Sequence, residues 1–446
     1  MKNILILGAG QSAPYMISFM LDRAKENNWF VKVCDFNLEL AESRVANHPN
    51  GQAIQFDAND IEFRQSLIKE ADIVLNLLAP VFQYPVALDC VQFGKHVITA
   101  SYTDPRVKAL NNEAIKKNIL ILNEMGLDPG IDHMSAMAVI ESVKKSGGEI
   151  TGFLSYGSAV AAPSPNLNPF GYYITWNPMN VVLAGESGAL YLENGKKKVL
   201  SQPKVFRRTW EVEIEGVGTL EAYPNRDSLI YTNVFDLPNV KTMIRGTLRY
   251  PGWSEVWRNI ILLGMPNNTM NIPGLSEMTY AEFTEMFVGL HSSGNALKNR
   301  VATSLGINPT GTIMRKLDWL GLFSDEKIGG NPSTAADVLV DLLKRKLKMP
   351  EGEKDMVVLM HQIDAEFDNG KTKRYTSLMV NYGEPNGFTA ISKTVGLPAA
   401  LAATMLLKDE LQIRGCHIPT HPAIYTKVLP KLAEYGINFK EKVEEK

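Results

Sequence analysis

Apolar positions in the first third of the chain come in short runs separated by amphipathic stretches. Ile4 to Leu7 is wholly apolar, the pattern of a parallel strand covered on both faces, and Met16, Met20, Leu21 and Ala24 then recur at helical spacing. A second strand is predicted at Phe30 to Cys34, with others at Ala53 to Phe56, Asp72 to Leu78, His96 to Thr99 and Asn118 to Leu122. Helical patterns lie between them, as at Tyr84 to Phe93 and Pro105 to Lys117. Regular alternation of strand and helix predicts an α/β fold with a doubly wound Rossmann sheet.

The pattern changes near Gly130. A helix over Ile131 to Lys145 leads to the segment Glu149 to Gly157, and a Pro/Asn/Gly-rich stretch follows from Ala161 to Asn180. A loop of that length within a compact region is usually functional. Strand-like segments at Ala189 to Leu192 and Lys198 to Leu200 flank Asn194-Gly195, a hairpin signal, with Lys196 to Lys198 as its solvated side. Tyr250 to Lys346 reads as helical; Met278, Phe283, Met286 and Leu290 lie near one face, and Leu317, Trp319 and Leu320 follow as further core. Strands resume at Met356 to Phe367 and Thr372 to Val380 around Asp368-Asn369-Gly370, and a small-residue helix, Leu397 to Leu407, precedes the tail. The expected organisation is a Rossmann domain over 1–130, an α/β domain over 131–250 and 347–391, an all-helical subdomain over 251–346, and a C-terminal segment over 392–446.

A chain of 446 residues suits two or three domains. Its 46 basic and 48 acidic residues form no strongly basic balance, which argues against a nucleic-acid partner. Cys34, Cys90 and Cys416 show neither paired spacing nor a CxxC, so no disulfide framework and no cysteine metal site is expected. We also expect no membrane span, since no apolar run reaches the required ~18–20 residues. The N-terminal strand lacks the features of a signal segment, and a soluble protein of a reducing compartment, the cytoplasm, is the expectation.

The first strand runs into Gly8-Ala9-Gly10-Gln11-Ser12-Ala13, which fits G-x-G-x-x-[GA] and opens a helix. Gly8 permits the tight turn, Gly10 lets the backbone approach a pyrophosphate, and small Ala13 lets helix and strand pack closely. Free N–H groups at the helix start meet the phosphate charge. The second strand ends in Asp35, 22 residues after Ala13, near the ~20 expected for a ribose-binding acid. A carboxylate there accepts hydrogen bonds from the ribose hydroxyls and repels a 2′-phosphate, so NAD is expected rather than NADP. Asp57, with Ala58 after it, and the loop holding Leu78 and Ala79 follow strand ends where the adenine and ribose would lie.

Three polar clusters stand out. Ser101-Tyr102-Thr103-Asp104 and the stretch Asn123 to His133 follow the fifth and sixth strands, where substrate would meet the nicotinamide. Asp128 sits in a Gly/Pro turn, either as a functional acid or as an acid favoured by a helix N-terminus. Asp128, Asp132 and His133 make a poor metal constellation, and no metal is expected. His133 reads more simply as a hydrogen-bonded structural histidine than as an acid/base group. The third cluster, Tyr223 to Ser228 with Arg245 to Tyr250, brings three arginines suited to bidentate recognition of carboxylates, or to pairing with nearby acids. These features together predict an NAD-linked oxidoreductase acting on a small polycarboxylate.

The strings NEMGLDPGIDH (123–133), FLSYGSAVAAPSPNLNPFGY (153–172), TWNP (175–178), AYPNRDS (222–228), RGTLRY (245–250) and WLGLFSD (319–325) resemble the glutamate-forming saccharopine dehydrogenases, or saccharopine reductases. The resemblance implies reversible oxidation of saccharopine with water and NAD(P)⁺ to L-glutamate and 2-aminoadipate 6-semialdehyde, in lysine metabolism. It implies a cofactor site over Gly8, Gly10, Gln11, Ser12, Ala13, Asp35, Asp57, Ala58, Leu78, Ala79, Ser101, Leu127, Asp128 and Pro129. It further implies substrate contacts at Ser101, Tyr102, Asn177, Arg226, Thr247, Leu248 and Arg249, with Asp128 and Tyr102 as the acid/base participants. The family fold returns the C-terminal segment to the Rossmann domain and gives the middle α/β domain the roles of substrate binding and homodimer formation. Three departures stand out. Family members often read SYCGG where this chain has Ser155-Tyr156-Gly157-Ser158, and a serine stands where this chain has Asn177. Fungal NADP enzymes carry an arginine near the end of the second strand where this chain has Asp35, like the NAD-using animal and plant proteins. The rivals are a carboxynorspermidine or carboxyspermidine dehydrogenase and a nucleotide-binding regulatory protein without turnover.

Overall fold

The computed structural model describes residues 1–289 and 296–446, so Leu290 of the predicted helical face lies outside the described residues. The chain divides into two compact units. The first comprises Met1–Thr151, Val234–Leu237 and Met356–Lys446; the second comprises Gly152–Asn233 and Pro238–Asp355.

In the first unit, strands β1 (Lys2–Leu7), β2 (Trp29–Asp35), β3 (Gly51–Gln55), β4 (Ile73–Asn76), β5 (His96–Thr99) and β6 (Leu120–Leu122) pair in parallel. With Gly415–His417 they form a seven-stranded sheet in the order 415–417, β6, β5, β4, β1, β2, β3. β1 lies inside the sheet, with Ile4 opposite both Val31 and Ile73, and Ile4 to Leu7 are buried. A strand covered on both faces needs apolar side chains of both parities, and the opening run supplies them. Helix α1 (Pro14–Asn27) buries Met16, Met20, Leu21 and Ala24 as their spacing predicts, and adds Ile17 and Phe19. Strand order reverses at β1, with β2 and β3 on one side and β4 to β6 on the other. In such sheets the ligand crevice lies at the carboxyl ends beside that reversal.

Some elements differ from the sequence expectation. The third strand is Gly51–Gln55 rather than Ala53 to Phe56, and the helix expected over Pro105 to Lys117 is two short ones, Pro105–Ala109 and Asn111–Lys116. Strands Gly415–His417 and Lys440–Glu445 carried no usable pattern, one being three residues long and the other exposed throughout and charged at every position but Val443. Their neighbours recruit them: Cys416 pairs with Ile121, and Val443 with Tyr375. The C-terminal region also corrects the expectation about apolar length. Helix Ala390–Leu407 has 18 residues and enough apolar character to cross a membrane by length and composition, yet 83% of it is buried inside the protein.

Strands Asp355–Phe367 and Thr372–Tyr382 form the antiparallel hairpin expected around Asp368-Asn369-Gly370, and Lys440–Glu445 adds to its edge. In the second unit, Thr242–Arg249 pairs antiparallel with Gly218–Pro224 and parallel with Gly152 to Gly157. The hairpin of Ala189–Glu193 and Lys196–Leu200 closes on Asn194-Gly195, both at positive φ, with Lys196 and Lys197 exposed. The 251–346 region is helical where described, including Trp253–Leu263, Thr312–Leu320 and Ala335–Lys346.

A buried ion pair braces one ligand-side loop. Arg64 Nε donates to Asp89 Oδ2 at 2.7 Å with both side chains nearly inaccessible, and Arg64 Nη1 donates to the Ala58 carbonyl in the loop after β3. Removing one partner strands a buried charge. Asp89→Ala should therefore destabilise the protein by about 3–5 kcal/mol, read as a lower midpoint in urea unfolding. A shift below about 1 kcal/mol would show that water reaches the pair.

Candidate active site

The parallel sheet brings its loops to one edge. Gly8 follows β1, Asp35 ends β2, Asp57 follows β3, Leu78 follows β4, Ser101 follows β5 and Leu127 lies beyond β6. Gly8 has φ +102°, and a Cβ there would meet the Leu77 carbonyl at 3.2 Å, so both turn and neighbour demand glycine. Beyond Gly10 the space is open, and the start of α1 has no side-chain cap. Uncapped amides at a helix start suit a pyrophosphate, so these residues fit a dinucleotide.

Each nucleotide loop is held by a polar side chain. Asp35 Oδ2 accepts from the Ala9 N–H at 2.7 Å and Oδ1 from the Asn37 N–H at 2.9 Å, which clamps the carboxylate beside the glycine turn. Asn76 Oδ1 accepts from the Leu78 N–H, while Gln83 Nε2 donates to the Leu78 carbonyl, so that loop is fixed from both sides. Arg64 does the same for Ala58. Gln11, Asp57 and Ala79 are exposed, and Ser12 is partly so.

The loops after β5 and β6 meet. Tyr102 Oη donates to Asp128 Oδ1 at 3.1 Å, joining the two expected acid/base residues on an accessible surface. Leu127 and Pro129, flanking Asp128, are buried. The 126–130 turn is tight: Gly126 N–H donates to Pro129 O, Gly130 N–H donates to Asp132 Oδ1 at 2.6 Å, and a Cβ on Gly130 would fall 2.0 Å from Gly126 O. Behind it His133 is fully buried, its Nδ1 3.4 Å from Glu124 Oε2 and its Nε2 3.7 Å from Asp132 Oδ2. Among the described residues no group of His, Cys, Asp and Glu could hold a metal ion.

In the second unit the expected carboxylate binders take different positions. Arg226 is exposed at φ +55°, its N–H held by the Gly188 carbonyl. Thr247 Oγ1 accepts from Asn225 Nδ2 at 3.2 Å, tying the two clusters together. Leu248 is wholly buried and can offer a ligand only its backbone. Arg249 is buried too: Nη1 donates to Ser158 Oγ at 3.0 Å and the Leu248 carbonyl at 2.8 Å, and its guanidinium lies over Tyr172 and Trp253. Exposed Asn177 caps the helix Pro178–Val182. A cavity of about 440 Å³ in this unit is lined partly by Phe206, Arg207, Glu221, Ser254 and Arg258, none of them in the expected set.

Residues 4–122 match the family described as saccharopine dehydrogenase NADP binding domain, and 126–437 match the saccharopine dehydrogenase C-terminal domain. The chain belongs to the saccharopine dehydrogenase family. It is 32% identical over 99% of both chains to the Schizosaccharomyces pombe protein named saccharopine dehydrogenase [NADP(+), L-glutamate-forming]. It is 32% identical, over 98% of this chain and 47% of the other, to bovine mitochondrial alpha-aminoadipic semialdehyde synthase. The apo saccharopine dehydrogenase (L-Glu forming) of Saccharomyces cerevisiae superposes with a TM-score of 0.88 at 31% identity, covering both chains fully. Membership makes the protein a pyridine-nucleotide-dependent oxidoreductase of the class acting on CH–NH donors, with the expected α/β Rossmann architecture.

Sequence reasoning gave no role to Asn76, Gln83 or Arg64, and it included Glu124 in the 123–133 cluster without one. Only burial beside a loop backbone reveals their work. The cysteines offer no nucleophile. Burial pushes the Cys34 thiol up to about 12 and the Cys90 thiol higher still, and it also raises Cys416. A thiol, not a thiolate, therefore stands at Cys34 and Cys90 at neutral pH. Native protein at pH 8 should release less than one equivalent of thionitrobenzoate rapidly from Ellman's reagent, and three after denaturation. Fast reaction of Cys34 in the folded protein would contradict its burial.

Proposed function

We propose that this chain is an L-glutamate-forming saccharopine dehydrogenase working with NAD⁺. The supporting observation is the Tyr102–Asp128 hydrogen bond at 3.1 Å, on the loops after β5 and β6 where a substrate would meet the nicotinamide. Held by the glycine turn and Asp35, NAD⁺ would supply the acceptor for the hydride that leaves the carbon beside the secondary amine of saccharopine. The nitrogen lone pair closes a C=N bond as its proton departs. Water then adds to that carbon, and collapse releases the aldehyde and glutamate. The Tyr102–Asp128 pair takes the amine proton and returns one to the departing nitrogen, as a positioned acid/base couple does.

Arg226, exposed on its loop, would take one substrate carboxylate. Arg249, already committed to Ser158 and Leu248, would act by setting the backbone of Thr247 and Leu248. For the nucleotide, the carboxylate of Asp35, clamped by two backbone amides, would accept from the ribose hydroxyls and oppose a 2′-phosphate. A second reading, NADP⁺, has the fungal relatives' names behind it. It also has Arg44, whose Nε lies 3.4 Å from the Ala9 carbonyl on the same loop.

Saccharopine with either nucleotide, followed by absorbance of the reduced form, tests both parts. Turnover with at least tenfold higher kcat/KM for NAD⁺ is expected, and Asp35→Ala should narrow that ratio. Absence of saccharopine-dependent reduction would sink the enzyme assignment, and preference for NADP⁺ would sink only the role given to Asp35. Arg226→Ala should raise the KM for saccharopine by about 30-fold or more, the loss of a charge-assisted carboxylate pair worth roughly 2–5 kcal/mol. An unchanged KM would remove Arg226 from substrate binding.

A further inference from the structure

Glu124 is a buried acid without an assigned role, set between the two loops that carry the acid/base pair. It stands just beyond β6, 8% exposed, with φ +62°, a conformation a non-glycine residue adopts at a cost. Its Oε1 accepts from both the backbone N–H of Thr103 at 3.0 Å and the Thr103 hydroxyl at 2.8 Å. Its own N–H donates to the Ser101 carbonyl at 3.1 Å. Glu124 therefore grips the residues on either side of Tyr102, from a backbone that continues through a closed turn into Asp128. On the far side, Oε2 lies 3.4 Å from buried His133, whose other ring nitrogen lies 3.7 Å from Asp132, and Asp132 caps the Gly130 N–H that shuts the same turn.

We infer that Glu124 is a positioning residue for the reaction, a staple that holds Tyr102 at Asp128. The inference rests on the saccharopine dehydrogenase reading for its kinetic consequence but not for its structural one. Tyr102 is 38% exposed and rests on a loop whose next short helix begins only at Pro105. Without Glu124, nothing else among the hydrogen bonds of the described residues joins Thr103 to the 124–130 turn. A carboxylate suits the task because one oxygen accepts two donors while the other faces the imidazole. A displacement of about 1 Å at a reacting pair is enough to lower turnover 10²-fold.

The test compares Glu124→Ala, Glu124→Gln and Thr103→Val in the full chain. Glu124→Ala should lower kcat about 100-fold while KM for saccharopine and Kd for the reduced nucleotide stay within threefold, because the glycine loop and the arginines are untouched. Glu124→Gln, whose amide oxygen still accepts from Thr103, should recover kcat to within about fivefold of the parent. Thr103→Val, which removes only the hydroxyl donor, should lower kcat three- to tenfold. Hydrogen–deuterium exchange of the peptide covering 101–104 should accelerate in Glu124→Ala and not in Glu124→Gln, a readout that holds whatever the substrate is. A folded Glu124→Ala protein with near-parental kcat and unchanged exchange would overturn the staple, as would a Gln variant as impaired as the Ala variant. If Glu124→Ala does not fold, unchanged kcat and exchange in Thr103→Val overturn it. Failure of the parent itself to oxidise saccharopine would count against the proposed function, leaving exchange to decide on Glu124.

Discussion

Parallel pairing of β1 with β2 on one side and β4 on the other is the constraint from which the nucleotide site follows. A parallel ladder points every strand the same way, so the loops after all six labelled strands emerge at one edge. At β1 the neighbours change direction of succession, and the crevice opens there. The burial of Ile4 to Leu7 on both faces makes that arrangement hard to shift, since any slip would expose apolar side chains or break the ladder. Gly8, Asp35, Asp57, Leu78 and Ser101 inherit their positions from it.

A sheet edge, however, is made of loops, and loops have few hydrogen bonds of their own. The protein answers with buried or clamped polar side chains on the loops: Asp35 for the glycine turn, Asn76 and Gln83 for Leu78, Arg64 for Ala58, and Glu124 for Thr103 beside Tyr102. Each satisfies backbone groups that would otherwise be unpaired or mobile. Reactive pairs need such support, because positioning contributes only when the supporting shell is itself held. The Tyr102–Asp128 pair is exposed enough to meet a substrate and is held from behind by groups no substrate need touch.

Arginine in the second unit shows how little residue type alone decides. Arg226 and Arg249 belong to strings of equal specificity in the sequence, yet one is exposed on a left-handed turn and the other is buried against Tyr172 and Trp253. Position in the sheet separates them. Arg249 lies opposite Glu221 in the ladder with its guanidinium over Trp253, whereas Arg226 stands past the end of that pairing. Leu248, named with them, is buried side chain and all.

The sequence by itself determined the Rossmann unit, because a two-faced apolar strand, a glycine turn and a terminal acid are local signals with local causes. It also identified Tyr102 and Asp128 as candidates, through strings specific enough to name a family. It carried no sign of the strands at Gly415–His417 and Lys440–Glu445, whose pairing comes from partners far along the chain rather than from their own pattern. It read an apolar helix at Leu397 to Leu407 but underestimated its length, which only packing against the rest of its unit makes compatible with burial. The roles of Glu124, Arg64 and Gln83 were illegible for the same reason: a polar residue becomes a loop support only when tertiary folding places it, without water, beside a backbone group that needs a partner.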